Sequence, residues 1–304
     1  MYRYLLCFAF LSSLLTPAVA KDRFDVVVTV DDLPLQGQLT PGETRLGITQ
    51  SYLKTLKAHK VPQAYGFINA GKLDNAPDGA AVYDLWQANG YPLGNHGYTH
   101  MNLGRAESLE AWIADMEQNE PELKRRVKDD SWRVIRMPNL AGGGKGARHD
   151  GAVAWMKSHR YIVAEVTMYF SDASYSAPYN RCLAKGDMAG IAALDGYYLA
   201  QVDAGIARAK RQSEKIYGRQ IPQIWLTHLS AYSARMLPQV MDRLDAAGAR
   251  YIPLAQALKD DAYSVPDSEI GNGLMMERVA KRLGVDIKEP PSGVPKLDLA
   301  TLCL

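Results

Sequence analysis

Two adjacent carboxylates, Asp31 and Asp32, close the run Asp25-Val-Val-Val-Thr-Val-Asp-Asp-Leu-Pro34. Acids at the end of a buried valine strand are costly unless a metal, a base role or hydrogen bonds compensate them. The plainer alternative is an acidic turn that only ends the strand, since Pro34 forbids its continuation in mid-sheet. A second cluster lies in Asn95-His-Gly-Tyr-Thr-His-Met101, where His96 and His100 are four residues apart. One helical turn or a tight loop sets both imidazoles on one side, as two ligands of a single ion require. Two surface histidines in a polar loop would show the same spacing. An oxygen donor is still missing, and Asp31 or Asp32 is the obvious supplier. A set of two histidines and one carboxylate leaves positions open for water and substrate, the mark of a catalytic metal.

Three further residues fall where apolar runs end. His228 ends Ile224-Trp-Leu-Thr-His228, Arg136 precedes the turn at Pro138, and Asp172 ends Thr167-Met-Tyr-Phe-Ser-Asp172. With an ordinary pKa near 6.5, a histidine there could protonate a leaving group. Arg136 could pair with a carboxylate and hold it ionised and oriented. The competing readings are a capping histidine, a surface arginine and an ordinary strand-end acid.

Residues so placed need a scaffold that brings many strand ends to one rim. Apolar strands are expected at 26–32, 64–68, 91–96, 132–137, 161–170, 223–226 and 250–253. Between them, helical periodicity marks 46–59, 80–89, 109–126, 150–157, 199–217 and 237–247, with a closing helical turn at 254–259. Strand and helix alternate at least six times, which predicts parallel β/α units in an α/β domain, either a barrel or a doubly wound sheet. Both architectures place active sites where the polar residues cluster here, after the strands. Because neighbouring strand residues point to opposite faces, Asp31 and Asp32 can share a site only if the chain bends, and Asp31 is the expected place.

The chain has 304 residues, 47% hydrophobic and 22% charged, with a net charge of +2. That balance gives no electrostatic footprint for nucleic acid. Residues 1–20 read as a secretory signal peptide: a positive start at Arg3, an apolar core from Leu5 to Leu15, and the small-residue site Ala18-Val-Ala20. The mature product is then periplasmic or secreted, with no stable membrane insertion and no lipid-bearing cysteine at Cys7. Two cysteines remain, Cys182 and Cys303, which an oxidising compartment could join or leave as independent thiols. Residues 262–304 change character, carrying four prolines and one short helix at 274–283, and read as a C-terminal extension. No internal repeat or low-complexity tract is evident.

Some signals lead nowhere. Gly142-Gly-Gly-Lys-Gly146 looks like a phosphate loop, but no Ser or Thr follows Lys145 to hold magnesium. His59 and His149 have no partners at ligand spacing and read as surface residues. No Gly-x-Ser-x-Gly elbow supplies a serine nucleophile.

Taken in order, Val28-Thr-Val-Asp-Asp32, His96-Gly-Tyr-Thr-His100, Arg136-Met-Pro-Asn139, Asp172 and Leu226-Thr-His228 resemble the motifs of the polysaccharide deacetylases, the NodB-homology group or carbohydrate esterase family four. The resemblance covers about residues 24–260. It implies a distorted (β/α) barrel as a single domain over 21–261, with one divalent metal ion, usually zinc. It further implies Asp32, His96 and His100 as metal ligands, Asp31 as general base, and Arg136 as the residue that orients it. His228 resembles the general acid, Asp172 the acid that tunes it, and the backbone amide at Asn139 the oxyanion donor. Three positions depart from the pattern: Asn139 where an aromatic is usual, Tyr169 where an acid is common, and Ala173 where a tryptophan commonly stands. They bear on substrate contacts and on the tuning of His228.

The function so implied is a secreted, metal-dependent hydrolase removing N- or O-linked acetyl groups from an acetylated polysaccharide. Two alternatives share the fold: a degenerate relative that binds metal and glycan without turnover, and a hydrolase of small amides or cyclic imides.

Overall fold

The structure is a computed structural model and describes residues 23–289 and 293–304. The expected signal peptide, Cys7, Pro290 and Pro291 lie outside the described residues. The strands are β1 (Phe24–Leu33), β2 (Ala64–Ile68), β3 (Leu93–Asn95), β4 (Val134–Ile135), β5 (Ile162–Val163), β6 (Met168–Tyr169), β7 (Gln223–His228) and β8 (Ala249–Tyr251). The helices are α1 (Arg45–Ala58), α2 (Ala80–Ala88), α3 (Leu109–Arg126), α4 (Ala147–Ser158), α5 (Ser176–Ala184), α6 (Met188–Tyr217), α7 (Ala231–Ala246), α8 (Leu254–Ala257) and α9 (Met275–Leu283).

Every described strand pairing is parallel, in the order β5-β4-β3-β2-β1-β7-β6, with β8 against the first three residues of β1. β5 and β6 are consecutive in sequence yet form the two unjoined edges, so the curled sheet stays open along one seam. This explains why one strand over 161–170 does not form: its ends pair with β4 and β7, and residues 164–167 must cross between them. The C-terminal segment fills that seam. Met275 N donates to Val166 O (2.9 Å), while Glu165 accepts from Gly271 N (2.9 Å) and Arg278 (2.6 Å).

The side chains of β1 divide the core in two. Val26, Val28 and Val30 pack outward beneath the helices, while Val27 joins Tyr65, Phe67, Val134, Ala164 and Ile224 inside the barrel. Caps set the helix starts: Thr44, Ser108, Asp187 and Ser230 accept from backbone amides of α1, α3, α6 and α7. Two of these caps escaped the periodicity. α6 begins at Met188 and α7 at Ala231, so Pro238 lies inside α7 rather than near its start. α5 was not expected at all, because its Ser, Pro and Asn content reads as loop; Pro178 fits there because the first turn needs no amide donor.

Cys182 and Cys303 are joined in a disulfide across 121 residues of sequence. Arg181 adds to the tether by donating to Leu299 O (2.7 Å) and Leu302 O (3.1 Å). His149 is not the surface residue expected, and His59 is half-buried rather than free in solvent. His59 Nδ1 lies 2.7 Å from Asp245, and His149 is 2% exposed between Gly142 O (2.6 Å) and Asp267 O (2.9 Å). Spacing in sequence says nothing about carbonyls that arrive from a distant segment.

Candidate metal and acid–base site

Strand alternation decides which side chains enter the barrel. Val27 faces inward, so Thr29 and Asp31 do too; His96 follows Gly94, Arg136 follows Val134 and His228 follows Ile224 with the same parity. Asp31 and His228 are direct register partners on parallel strands. Asp32 ought to point outward to the helices. It reaches the rim because β1 carries a bulge: between Val30↔Gly66 and Leu33↔Ile68, β1 advances three residues against two on β2. The distortion centres on Asp32, with φ +69°, rather than on Asp31 as expected. His100 (φ +64°) and Asn139 (φ +56°) also adopt the left-handed region at this rim, as does Ser171 (φ +59°) just before Asp172. Each such conformation costs of order 1 kcal/mol, which the surrounding contacts must offset.

The histidine loop is held from beneath. Asp115 Oδ1 accepts from Thr99 N (2.9 Å) and Thr99 Oγ1 (2.6 Å), and Asn69 Nδ2 donates to His96 O (2.8 Å) and Gly97 O (2.9 Å). Gly97 has φ +74°, and a Cβ there would lie 2.6 Å from Asp115, so only glycine fits.

Asp32, His96 and His100 present ligand atoms that all lie within 4.8 Å of one another. His96 Nδ1 donates to Arg136 O at 2.7 Å, which leaves the Nε2 lone pair aimed at the cluster, 3.6 Å from Asp31 Oδ2. His100 Nε2 stands 3.8 Å from Asp32 Oδ1. Burial pushes the pKa of both imidazoles down, so both are neutral and able to coordinate. Burial opposes ionisation of Asp32, yet Lys72 and the nearby histidines hold its carboxyl well below the usual range. Asp31 Oδ1 is buried with no hydrogen-bond donor beside it. One anionic oxygen and two imidazole nitrogens within 4.8 Å of one another are a donor set that suits a divalent cation.

Arg136 is fully buried and spends its guanidinium on the barrel interior. Nε donates to Ala164 O (2.9 Å), one terminal nitrogen to Thr29 Oγ1 (2.8 Å) and the other to Asp31 Oδ2 (3.3 Å), with the Phe67 ring 5.1 Å away. Burial raises the Asp31 pKa to about 6, and the Arg136 charge works against that rise.

Across the rim, Asp172 is saturated. Its Oδ2 accepts from Thr227 Oγ1 (2.8 Å), His228 N (2.7 Å) and Ser233 Oγ (2.8 Å), while its Oδ1 faces His228 Nδ1 at 3.0 Å. Burial opposes the imidazolium, but the Asp172 charge and hydrogen bond prevail and lift His228 to about 9. Nδ1 is thereby engaged, and Nε2 is the nitrogen left to work.

Seven of the eight expected site residues converge here. The eighth, Asn139, is expected to act through its backbone amide rather than its side chain, which is exposed and accepts from Asn102 Nδ2 at 3.3 Å. Tyr169 places its ring 6.0 Å from that of His228, forming an aromatic wall where the related motif carries an acid. Sequence reasoning missed Thr29 and Lys72. A polar residue inside a valine run was the available signal for Thr29; Lys72, after an Asn-Ala-Gly turn, gave none.

Residues 18–150 match the family model described as Polysaccharide deacetylase. Over this stretch, less than half of the chain, the sequence is similar to the polysaccharide deacetylases. Solved structures repeat the architecture across a larger share of the chain. A chitin deacetylase from the fungal pathogen Colletotrichum lindemuthianum is 19% identical with a TM-score of 0.54, covering 81% of this chain and 92% of that one. The polysaccharide deacetylase Bc1974 from Bacillus cereus is 19% identical with a TM-score of 0.52, covering 76% and 92%. A pseudoenzyme of the same esterase family from Bacillus anthracis, BA3943, is 14% identical with a TM-score of 0.53, covering 78% and 66%. At these identities the likeness establishes the fold, the distorted (β/α) barrel of polysaccharide deacetylases. No functionally curated protein matches the sequence.

Proposed function

We propose that this polysaccharide deacetylase relative is an exported, metal-dependent hydrolase that removes N- or O-linked acetyl groups from a polysaccharide. Asp31 and His228 carry the reading: register partners on β1 and β7, they have pKa values displaced to about 6 and about 9, beside a three-ligand cluster. At neutral pH one is then an ionised base and the other a charged proton donor.

A divalent cation held by Asp32, His96 and His100, zinc by the donor types, would polarise the acyl carbonyl and make a water acidic. Asp31, its Oδ2 3.6 Å from His96 Nε2, is the carboxylate placed to accept a proton from the attacking water. Arg136 and Thr29 keep the carboxylate from rotating away. His228 Nε2 delivers a proton to the departing amine or hydroxyl, and Asp172 holds the ring in the tautomer that allows it. Export rests on the leader-like residues 1–20. Among the described residues no helix is long and apolar enough to cross a membrane.

The test is acetate release from acetylated chitin, peptidoglycan and xylan oligomers, before and after chelation. Release that ends with chelation and returns with zinc supports the reading; full release from metal-free protein overturns it. The non-catalytic alternative, prompted by the departures at Asn139, Tyr169 and Ala173, requires that all three substrates stay intact in the metal-loaded protein.

A further inference from the structure

Lys72 brings a positive charge into the proposed metal cluster. Its Nζ donates to Asp32 Oδ1 (3.1 Å), Asp32 O (3.0 Å) and Leu35 O (3.2 Å), with the side chain one-third exposed. Asp32 Oδ1 is also the oxygen that faces His100 Nε2 at 3.8 Å. The ammonium and a cation between Asp32 and His100 therefore compete for one oxygen.

The placement of Lys72 is built into the fold. Its short helical turn, Ala70–Asp74, is pinned at Ala70 N by Asn119 Oδ1 (2.7 Å) and at Gly71 N by Tyr98 O (3.0 Å). Asn119 Nδ2 in turn donates to Asn95 Oδ1 (2.8 Å), next to His96. A Cβ on Gly71 would lie 2.6 Å from Tyr98 O, a backbone atom that cannot give way. The turn thus rests directly on the loop that carries both histidines.

We propose that Lys72 is a positioning residue that acts as an internal counter-cation, holding the Asp32 carboxylate in place without metal and weakening the site's hold on a divalent ion. The two carbonyl acceptors, Asp32 O and Leu35 O, keep the ammonium partnered when the carboxylate oxygen is taken. A largely buried carboxylate left without a partner is destabilising, so the lysine stabilises the empty cluster. Its charge also repels any cation bound alongside. The result is a preformed site whose metal exchanges more readily.

The inference rests on the metal-site reading, and zinc binding measured against a chromophoric chelator separates the two. Lys72→Met and the shorter Lys72→Gln should bind zinc at least about tenfold more tightly than the parent. Lys72→Arg, which keeps the charge, should stay near the parent value. Metal-free Lys72→Met should melt below the metal-free parent, with the gap closing at saturating zinc. Equal or weaker affinity in the neutral variants overturns the role of Lys72, as does equal tightening in Lys72→Arg. If His96→Ala binds zinc as the parent does, the metal-site reading itself falls.

Discussion

Replacing Asp172 by Asn tests the acid half of the site while leaving the proposed metal ligands alone. The substitution changes one atom, yet an amide has one oxygen where Asp172 uses two. If that oxygen keeps the three donors from Thr227, His228 N and Ser233, the new NH2 group faces His228 Nδ1. Nδ1 must then accept rather than donate, which forbids the imidazolium. The Asp172 charge is the main influence lifting His228 to about 9 against its burial. Without it, burial alone drives the value to the ordinary 6.5 or below. A fall of roughly 2.5 units corresponds to about 3 kcal/mol. At pH 7.5 the protonated fraction drops from nearly all to about a tenth, so kcat should fall at least about tenfold. KM and zinc content should hold. The alkaline limb of the rate profile should move down by about two pH units. NMR titration of the ring, one of six histidines in the chain, reads the same shift without substrate. A variant whose His228 still titrates near 9 would refute the assigned role of Asp172.

The parent rate should rise with pH as Asp31 ionises and fall as His228 loses its proton, at or below about 9 because a bound cation also repels the imidazolium. A cation beside Asp31 can only draw its value of about 6 downward, so the acid limb lies at or below that pH. A rate still climbing above pH 10 speaks against His228 as the acid. Asp31→Asn should retain zinc and lose at least about a hundredfold in kcat, the scale of a general base, whereas His96→Ala should lose zinc as well; parent-like rate in Asp31→Asn removes the base assignment. Arg136→Met leaves the buried Asp31 carboxylate without its charge partner and should cost about 3–5 kcal/mol in urea unfolding; a loss below about 1 kcal/mol would show that Asp31 is not ionised there. Breaking the Cys182–Cys303 link in the double Ser variant should cost about 2–4 kcal/mol, since it closes a long loop. Equal unfolding midpoints with and without reductant would count against the bond in the parent.

Much of the site was legible from the chain because its chemistry is carried by residue types that are expensive where they stand. Paired acids ending a valine run, two histidines four apart and a histidine closing an apolar strand all needed explanation before any coordinates. Strand-helix alternation placed them after strands, and strand parity does select Asp31, His96, Arg136 and His228 for the barrel interior.

What the chain alone could not decide is every relation that depends on which distant backbone arrives nearby. By residue type the two adjacent acids are equivalent and only the family resemblance separates them; the bulge at Asp32 turns that carboxylate to the rim while Asp31 stays on the inner face above Arg136. The seam between β5 and β6, and its closure by Gly271, Met275 and Arg278, follow from strand order, which no local pattern encodes. Lys72 and the pairing of Cys182 with Cys303 belong to the same class. Residue type and period are properties of a short window, whereas a metal-binding space, a pKa or a counter-charge is a property of atoms far apart in sequence. Only the folded barrel brings those together.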